Sequence, residues 1–230
     1  MEITKSNKLQ KIIGIRLKMK KNSTVTQLLL AHYPAGKCAL HYDTPFELLV
    51  ASRLSAQCTD VRVNLVMQQV RKRWKSPEEY AAAPIEQLEQ EIRSCGLFHT
   101  KARDIKAMSA MIVERFNGKV PDTMEDLLLL PGVGRKIANL ILGEVYHVPG
   151  VIIADTHCIR LSNRLGYCDS QNQNIVEREL RKVIPPEDSL TFCHALVTHG
   201  RQICRAQSPK CEECFLREKC KYLKKLASKK

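Results

Sequence analysis

No stretch of this 230-residue chain is apolar for long enough to cross a membrane: runs such as Leu127–Leu130 and Val151–Ala154 stop far short of the ~20 residues required. Alternating strand patterns are nearly absent, and Val151–Ile153 is the only β-branched run, so there is little from which to build a sheet. No repeat of fixed period and no low-complexity linker divides the chain, which argues against a repeat array. No N-terminal segment reads as a secretory leader. Residues 9–17 (LQKIIGIRL) have a basic flank, but Lys11 and Arg16 interrupt the apolar segment such a leader needs. An intracellular, reducing setting follows, in which thiols are packed or bind metal rather than pair.

The body of the chain also lacks net charge. The total is +13, but residues 1–21 and 217–230 each hold seven Lys/Arg and one Glu, which leaves +1 for residues 22–216. A basic protein invites a polyanion partner. Here the basic charge sits at the two ends, so charge alone does not decide for nucleic acid. The apolar fraction is 44% and the charged fraction 27%, too apolar for a disordered chain, and the length suits one large or two small domains.

Helix-start signals are plentiful. Thr44-Pro45-Phe46-Glu47 and Ser76-Pro77-Glu78-Glu79 each place a hydroxyl cap, a proline at the first helical position and a capping-box glutamate. Thr59-Asp60 precedes a segment with Val63, Val66, Met67 and Val70 on one helical face, and Thr123 opens another start. Further helices are expected over 85–94, 101–116, 174–183 and 189–198, with Gly96, Gly118 and Gly166 at helix stops. The reading is all-α.

Ten cysteines are present, and six of them (Cys38, Cys58, Cys95, Cys158, Cys168 and Cys193) are scattered through apolar or helical sequence as packed thiols. The other four lie within 17 residues as Cys204-x6-Cys211-x2-Cys214-x5-Cys220. A loop that short needs a metal centre to hold it. The uneven spacing favours a four-thiolate iron–sulfur cluster, while Cys211-x2-Cys214 taken alone would favour zinc; both stay open.

The chemistry concentrates at Leu130-Pro131-Gly132-Val133-Gly134-Arg135-Lys136. One helix ends at the Pro-Gly turn and another begins after two glycines, which exposes backbone N–H groups as an anion site suited to a DNA phosphate. Lys136 breaks a local rule by sitting at the positive end of the helix dipole, at the start of the apolar segment IANLIL. Both features favour the neutral amine, the form that acts as a nucleophile. The alternative is a lysine that extends to solvent or phosphate. Asp155 ends an apolar run 19 residues later. It is either the N-cap of the following helix or a catalytic partner of Lys136.

The motifs LPGVGRK, ADTH and the cysteine quartet, with TPFELLVASRLSAQCTD and CGLFHTKARDI, make the chain resemble the endonuclease III family of helix-hairpin-helix DNA glycosylases with lyase activity. The resemblance runs from about residue 24 to 222. Ile137 stands where the family usually has Thr, and Ala154 where it usually has Val. It implies two all-α domains flanking a DNA-binding cleft. Residues 38–148 would form a six-helix barrel carrying the hairpin, and 22–37 with 149–230 the cluster domain. Residues 1–21 would be a basic extension. The resemblance further implies a [4Fe–4S] cluster on Cys204, Cys211, Cys214 and Cys220, and DNA contacts at Gly132, Val133, Gly134, Arg135, Arg205 and Lys210. Gln57 would fill the gap left by a flipped lesion, and Leu97 would wedge the strands. Lys136 would attack the sugar, assisted by Asp155, to remove an oxidised pyrimidine and cut 3′ to the abasic site. The expected partner is damaged duplex DNA, with the protein a monomer, away from membranes, in a bacterial cytoplasm and associated with the nucleoid. The alternatives are an adenine-mismatch glycosylase, which normally lacks a lysine at position 136, and a non-catalytic hairpin DNA-binding protein.

Overall fold

A computed structural model of the chain describes residues 24–34 and 36–227. The basic extension 1–21 lies outside them, as do residues 22, 23, 35 and 228–230. Among the described residues every regular element is a helix, and Val151–Ile153 forms no strand. That segment is buried, with the Ile153 amide donating to Cys193 Sγ at 3.2 Å. The chain divides into two compact units: Cys38–Val148, and the described part of Met1–Lys37 together with Pro149–Lys230.

The continuous unit holds α2 (Pro45–Leu54), α3 (Asp60–Arg73), α4 (Pro77–Ala82), α5 (Ile85–Ile92), α6 (Phe98–Phe116), α7 (Met124–Leu127) and α8 (Arg135–Glu144). Four starts follow the sequence signals: Thr44, Thr59, Ser76 and Thr123 accept from the amides of Glu47, Arg62, Glu79 and Asp126 at 3.1–3.4 Å. Each such cap contributes about 1 kcal/mol. The capping-box glutamates return one residue earlier than the motif suggests. Glu47 Oε2 accepts from the Asp43 amide at 2.7 Å and Glu79 Oε2 from the Lys75 amide at 2.5 Å. Helix α6 is the axis of this unit. Ala102, Ile105, Met108 and Ile112 line its inner stripe, and α4 and α5 pack on it. Residues Ile137 to Gly143 of α8 are all buried, and α8 packs on α2.

The discontinuous unit holds α1 (24–32), α9 (Thr156–Leu165), α10 (Gln173–Arg181), α11 (Ser189–Gln202) and α12 (Lys221–Ala227). The N-terminal helix belongs here through specific contacts. The Thr26 and Tyr167 hydroxyls share a hydrogen bond of 2.9 Å, Tyr33 Oη lies 3.1 Å from His199 Nδ1, and His32 stacks on Phe215 at 4.1 Å between ring centroids. Helix α11 continues through Gly200 to Gln202, past the stop expected near residue 198. The glycine there serves packing: a Cβ would lie 2.5 Å from His157 Nδ1 and 2.9 Å from Arg160 Nη2 of α9.

Candidate active site and cluster loop

The hairpin is built from α7, a tight turn and α8. Leu130 and Val133 are buried, and the Val133 amide donates to Leu130 O at 3.1 Å, which closes the turn. The two glycines of the turn serve different ends. Gly132 has φ +76° and backs onto the Arg53–Asp104 ion pair; a Cβ there would lie 2.7 Å from Arg53 Nε and 2.9 Å from Asp104 Cβ. Gly134 is extended (φ −101°, ψ 175°), and a Cβ would meet nothing within 4 Å. It leaves open space in front of α8. No side chain of the N-cap residue caps α8, as expected of a glycine there, and a helix N-terminus of this kind suits an anion. Lys136 is the second residue of this helix, half-buried, immediately before the buried Ile137.

Asp155 belongs to the other unit and occupies the N-cap of α9, its Oδ1 accepting from the Cys158 amide at 2.7 Å. The cap uses one carboxylate oxygen. The second is not required by it, so capping leaves room for chemistry at the same carboxyl.

Gln57 and Leu97 lie in the continuous unit, on the loops after α2 and before α6. Gln57 is exposed with φ 54°; Leu97 is 56% exposed with φ 49°. Left-handed backbone is costly for residues with a Cβ, and an exposed leucine held in it is poorly explained by core packing.

The cysteine quartet surrounds one cavity of the discontinuous unit, walled also by Leu161, Leu165, Ile203 and Leu223. All four thiols are free of disulfides. Burial, followed by the neighbouring thiols, pushes Cys211 and Cys214 above the ordinary cysteine value. Four thiols lining one cavity make a donor set of the kind that binds an iron–sulfur cluster. Arg164 holds the loop from α9: its guanidinium donates to Cys204 Sγ at 3.3 Å, Arg205 O at 2.7 Å and Ala206 O at 3.0 Å. His199 Nε2 lies 3.5 Å from Cys214 Sγ, and burial, then the charge of His32, lowers the His199 pKa to about 4. The side chains of Arg205 and Lys210 are exposed; Lys210 Nζ reaches Glu213 at 3.1 Å, a surface pair that an anion can displace.

Residues 50–186 match the model of the HhH-GPD superfamily of base excision DNA repair proteins, and residues 204–220, from the first cysteine of the quartet to the last, match the iron–sulfur binding domain of endonuclease III. The endonuclease III of Bacillus subtilis is 44% identical over 82% of this chain and 86% of its own. The chain belongs to the endonuclease III family. That of Escherichia coli is 36% identical over 84% of this chain and 91% of its own. A solved endonuclease III, trapped as a covalent intermediate with DNA, superposes with a TM-score of 0.87 at 40% identity, covering 91% of this chain and 98% of that one. As a member of the endonuclease III family the protein is a DNA glycosylase and abasic-site lyase, and its cofactor is a [4Fe–4S] cluster.

Three residues escaped the reading of the sequence: Lys101, Arg164 and His199. Lys101 falls in step with Ile105, Met108 and Ile112 on the buried stripe of α6, a spacing that marks it as inward-facing. Arg164 and His199 lie one side chain away from the cysteines, where spacing along the chain gives no signal.

Proposed function

We propose that this enzyme excises oxidised pyrimidines from duplex DNA through a covalent bond to Lys136. The observation that carries the reading is the hairpin: a nucleophile-bearing helix starts behind a glycine with open space in front of it. The solved relative trapped covalently on DNA supports a covalent course. Gly132, Val133, Gly134 and Arg135 present the turn to a phosphate. Lys136 Nζ, as the free amine, attacks C1′ as the damaged base departs. Asp155 takes the proton from the amine or balances the positive charge on the sugar. With the sugar ring open, the resulting Schiff base acidifies the C2′ proton, and its removal breaks the C3′–O bond, cutting 3′ to the lesion. Water then releases Lys136.

Gln57 and Leu97 fill and wedge the space left by the extruded nucleotide. Arg205 and Lys210 extend the phosphate contacts. The unit Cys38–Val148 acts as the barrel domain and the other as the cluster domain, with Cys204, Cys211, Cys214 and Cys220 as ligands. When bound, the cluster supplies metal–thiolate bonds that cross-link residues 204–220 and offset the repulsion among the thiolates. The protein acts as a monomer in the bacterial cytoplasm, on nucleoid DNA.

A panel of duplexes with thymine glycol, an oxidised cytosine, an abasic site, or adenine opposite oxidised guanine tests this. Cleavage of the first three and not the fourth is expected. Adenine excision alone would instead make the protein an adenine-mismatch glycosylase, and inertness throughout would make it a binder.

A further inference from the structure

Lys101 is fully buried in the continuous unit, a long cationic side chain on the α6 stripe that carries Ala102, Ile105, Met108 and Ile112. Burying a charge is costly, and packing alone would be better served by methionine. The ammonium has specific partners: Nζ donates to Leu54 O at 2.8 Å and to Cys95 O at 2.8 Å. Leu54 is the last residue of α2, and Cys95 is the last of the 3-10 turn that precedes α6. Both carbonyls lie at helix C-termini, where orphan acceptors and the negative end of the dipole favour a cation. One ammonium therefore joins two helix ends 41 residues apart in sequence. Gln57 follows the first clamped carbonyl by three residues with φ 54°, and Leu97 follows the second by two with φ 49°. The same two loops also meet at their thiols: burial, then the neighbouring Cys58, pushes the Cys95 pKa up to about 12. Strained backbone persists only where its surroundings over-determine it, and Lys101 is placed to do so for both loops together.

We infer that Lys101 is a positioning residue that sets the spacing between the Gln57 and Leu97 loops, so that both enter the duplex in register at a damaged site. The inference rests on the proposed insertion of those two residues. It assigns Lys101 no contact with DNA.

The test compares single-turnover cleavage of an abasic-site oligonucleotide as a duplex and as a single strand, where there is no opposing strand to wedge. Lys101→Met keeps the stem and removes the ammonium. The duplex rate should fall about tenfold or more, with the single-strand rate within about twofold. On a Gln57→Ala/Leu97→Ala background, Lys101→Met should add little further loss, since the residues act as one unit. Equal losses on both substrates, or losses that add fully on that background, would overturn the inference. If the Gln57→Ala/Leu97→Ala protein itself keeps the native duplex-to-single-strand ratio, the insertion reading falls and this inference with it, a pattern distinct from the others. Should Lys101→Met not accumulate as folded holoprotein, Lys101→Arg serves, because its longer fork cannot seat on both carbonyls at the same spacing. The same preferential loss on duplex is expected, and an unchanged ratio would overturn the proposal.

Discussion

Replacing Gly132 and Gly134 separately by alanine should give opposite outcomes, although the two stand two residues apart in one turn. At Gly132 the φ of +76° costs an L-residue about 1–2 kcal/mol. The added methyl also falls within 3.0 Å of Arg53 Nε, Arg53 Cδ and Asp104 Cβ. These atoms belong to an ion pair with N–O distances of 2.6 and 2.8 Å and side chains 14% and 26% exposed, so the pair must move. Displacing a largely buried charged hydrogen bond adds about 1–3 kcal/mol. The sum, roughly 2–5 kcal/mol, lowers the melting temperature by roughly 4–20 °C in a chain of this size. Gly134→Ala meets no atom and keeps an ordinary extended backbone, so its stability should match the native protein or exceed it by about 0.4–1 kcal/mol. Its methyl does obstruct the phosphate approach, and affinity for an abasic-analogue duplex should fall about fivefold or more, equivalent to one hydrogen bond. Thermal melts of the holoproteins and fluorescence anisotropy with a labelled duplex measure both quantities. A destabilised Gly134→Ala protein with native affinity, or a Gly132→Ala protein as stable as the native one, would refute this division of roles.

Asp155→Asn should keep the α9 cap and the native melting temperature, because Asn caps as well as Asp, whereas Asp155→Ala should lose about 1 kcal/mol. Both should lower single-turnover cleavage about 100-fold, and an Asn variant with native rate would leave Asp155 a cap only. Arg164→Met removes the donor to Cys204 Sγ and to the carbonyls of residues 205 and 206, so the visible cluster absorption should bleach in air about fivefold faster. Bleaching at the native rate would show that the loop needs no such anchor. Deleting residues 1–21, with their net charge of +6, should weaken duplex binding and flatten its salt dependence while single-turnover chemistry at saturating enzyme stays intact. A loss of that chemistry would give the extension a direct part in the reaction.

Legibility followed locality. Helix starts with a hydroxyl cap and a following acid were readable at Thr44, Thr59, Ser76 and Thr123, because the bond that forms lies three residues along the chain. The start of α6 was not. It begins at Phe98 rather than Lys101, and its cap position is Leu97 in a left-handed conformation with no side-chain bond. Helix α11 runs past residue 198 through Gly200, a glycine required by the close approach of α9. At the hairpin, sequence told that two glycines were present but not that one answers to backbone strain and packing and the other to open space. Lys101 gave a positional signal through its place on the α6 stripe. Its two carbonyl partners, 47 and 6 residues away, could be found only in the fold.

The central claim is that Lys136 Nζ forms a covalent intermediate with the sugar. Borohydride reduction during turnover on an abasic-site duplex should fix an enzyme–DNA adduct in the native protein and none in Lys136→Ala, with the borohydride-modified lysine mapping to residue 136 by peptide mass. An undiminished adduct in Lys136→Ala, or modification at another residue, would contradict the account.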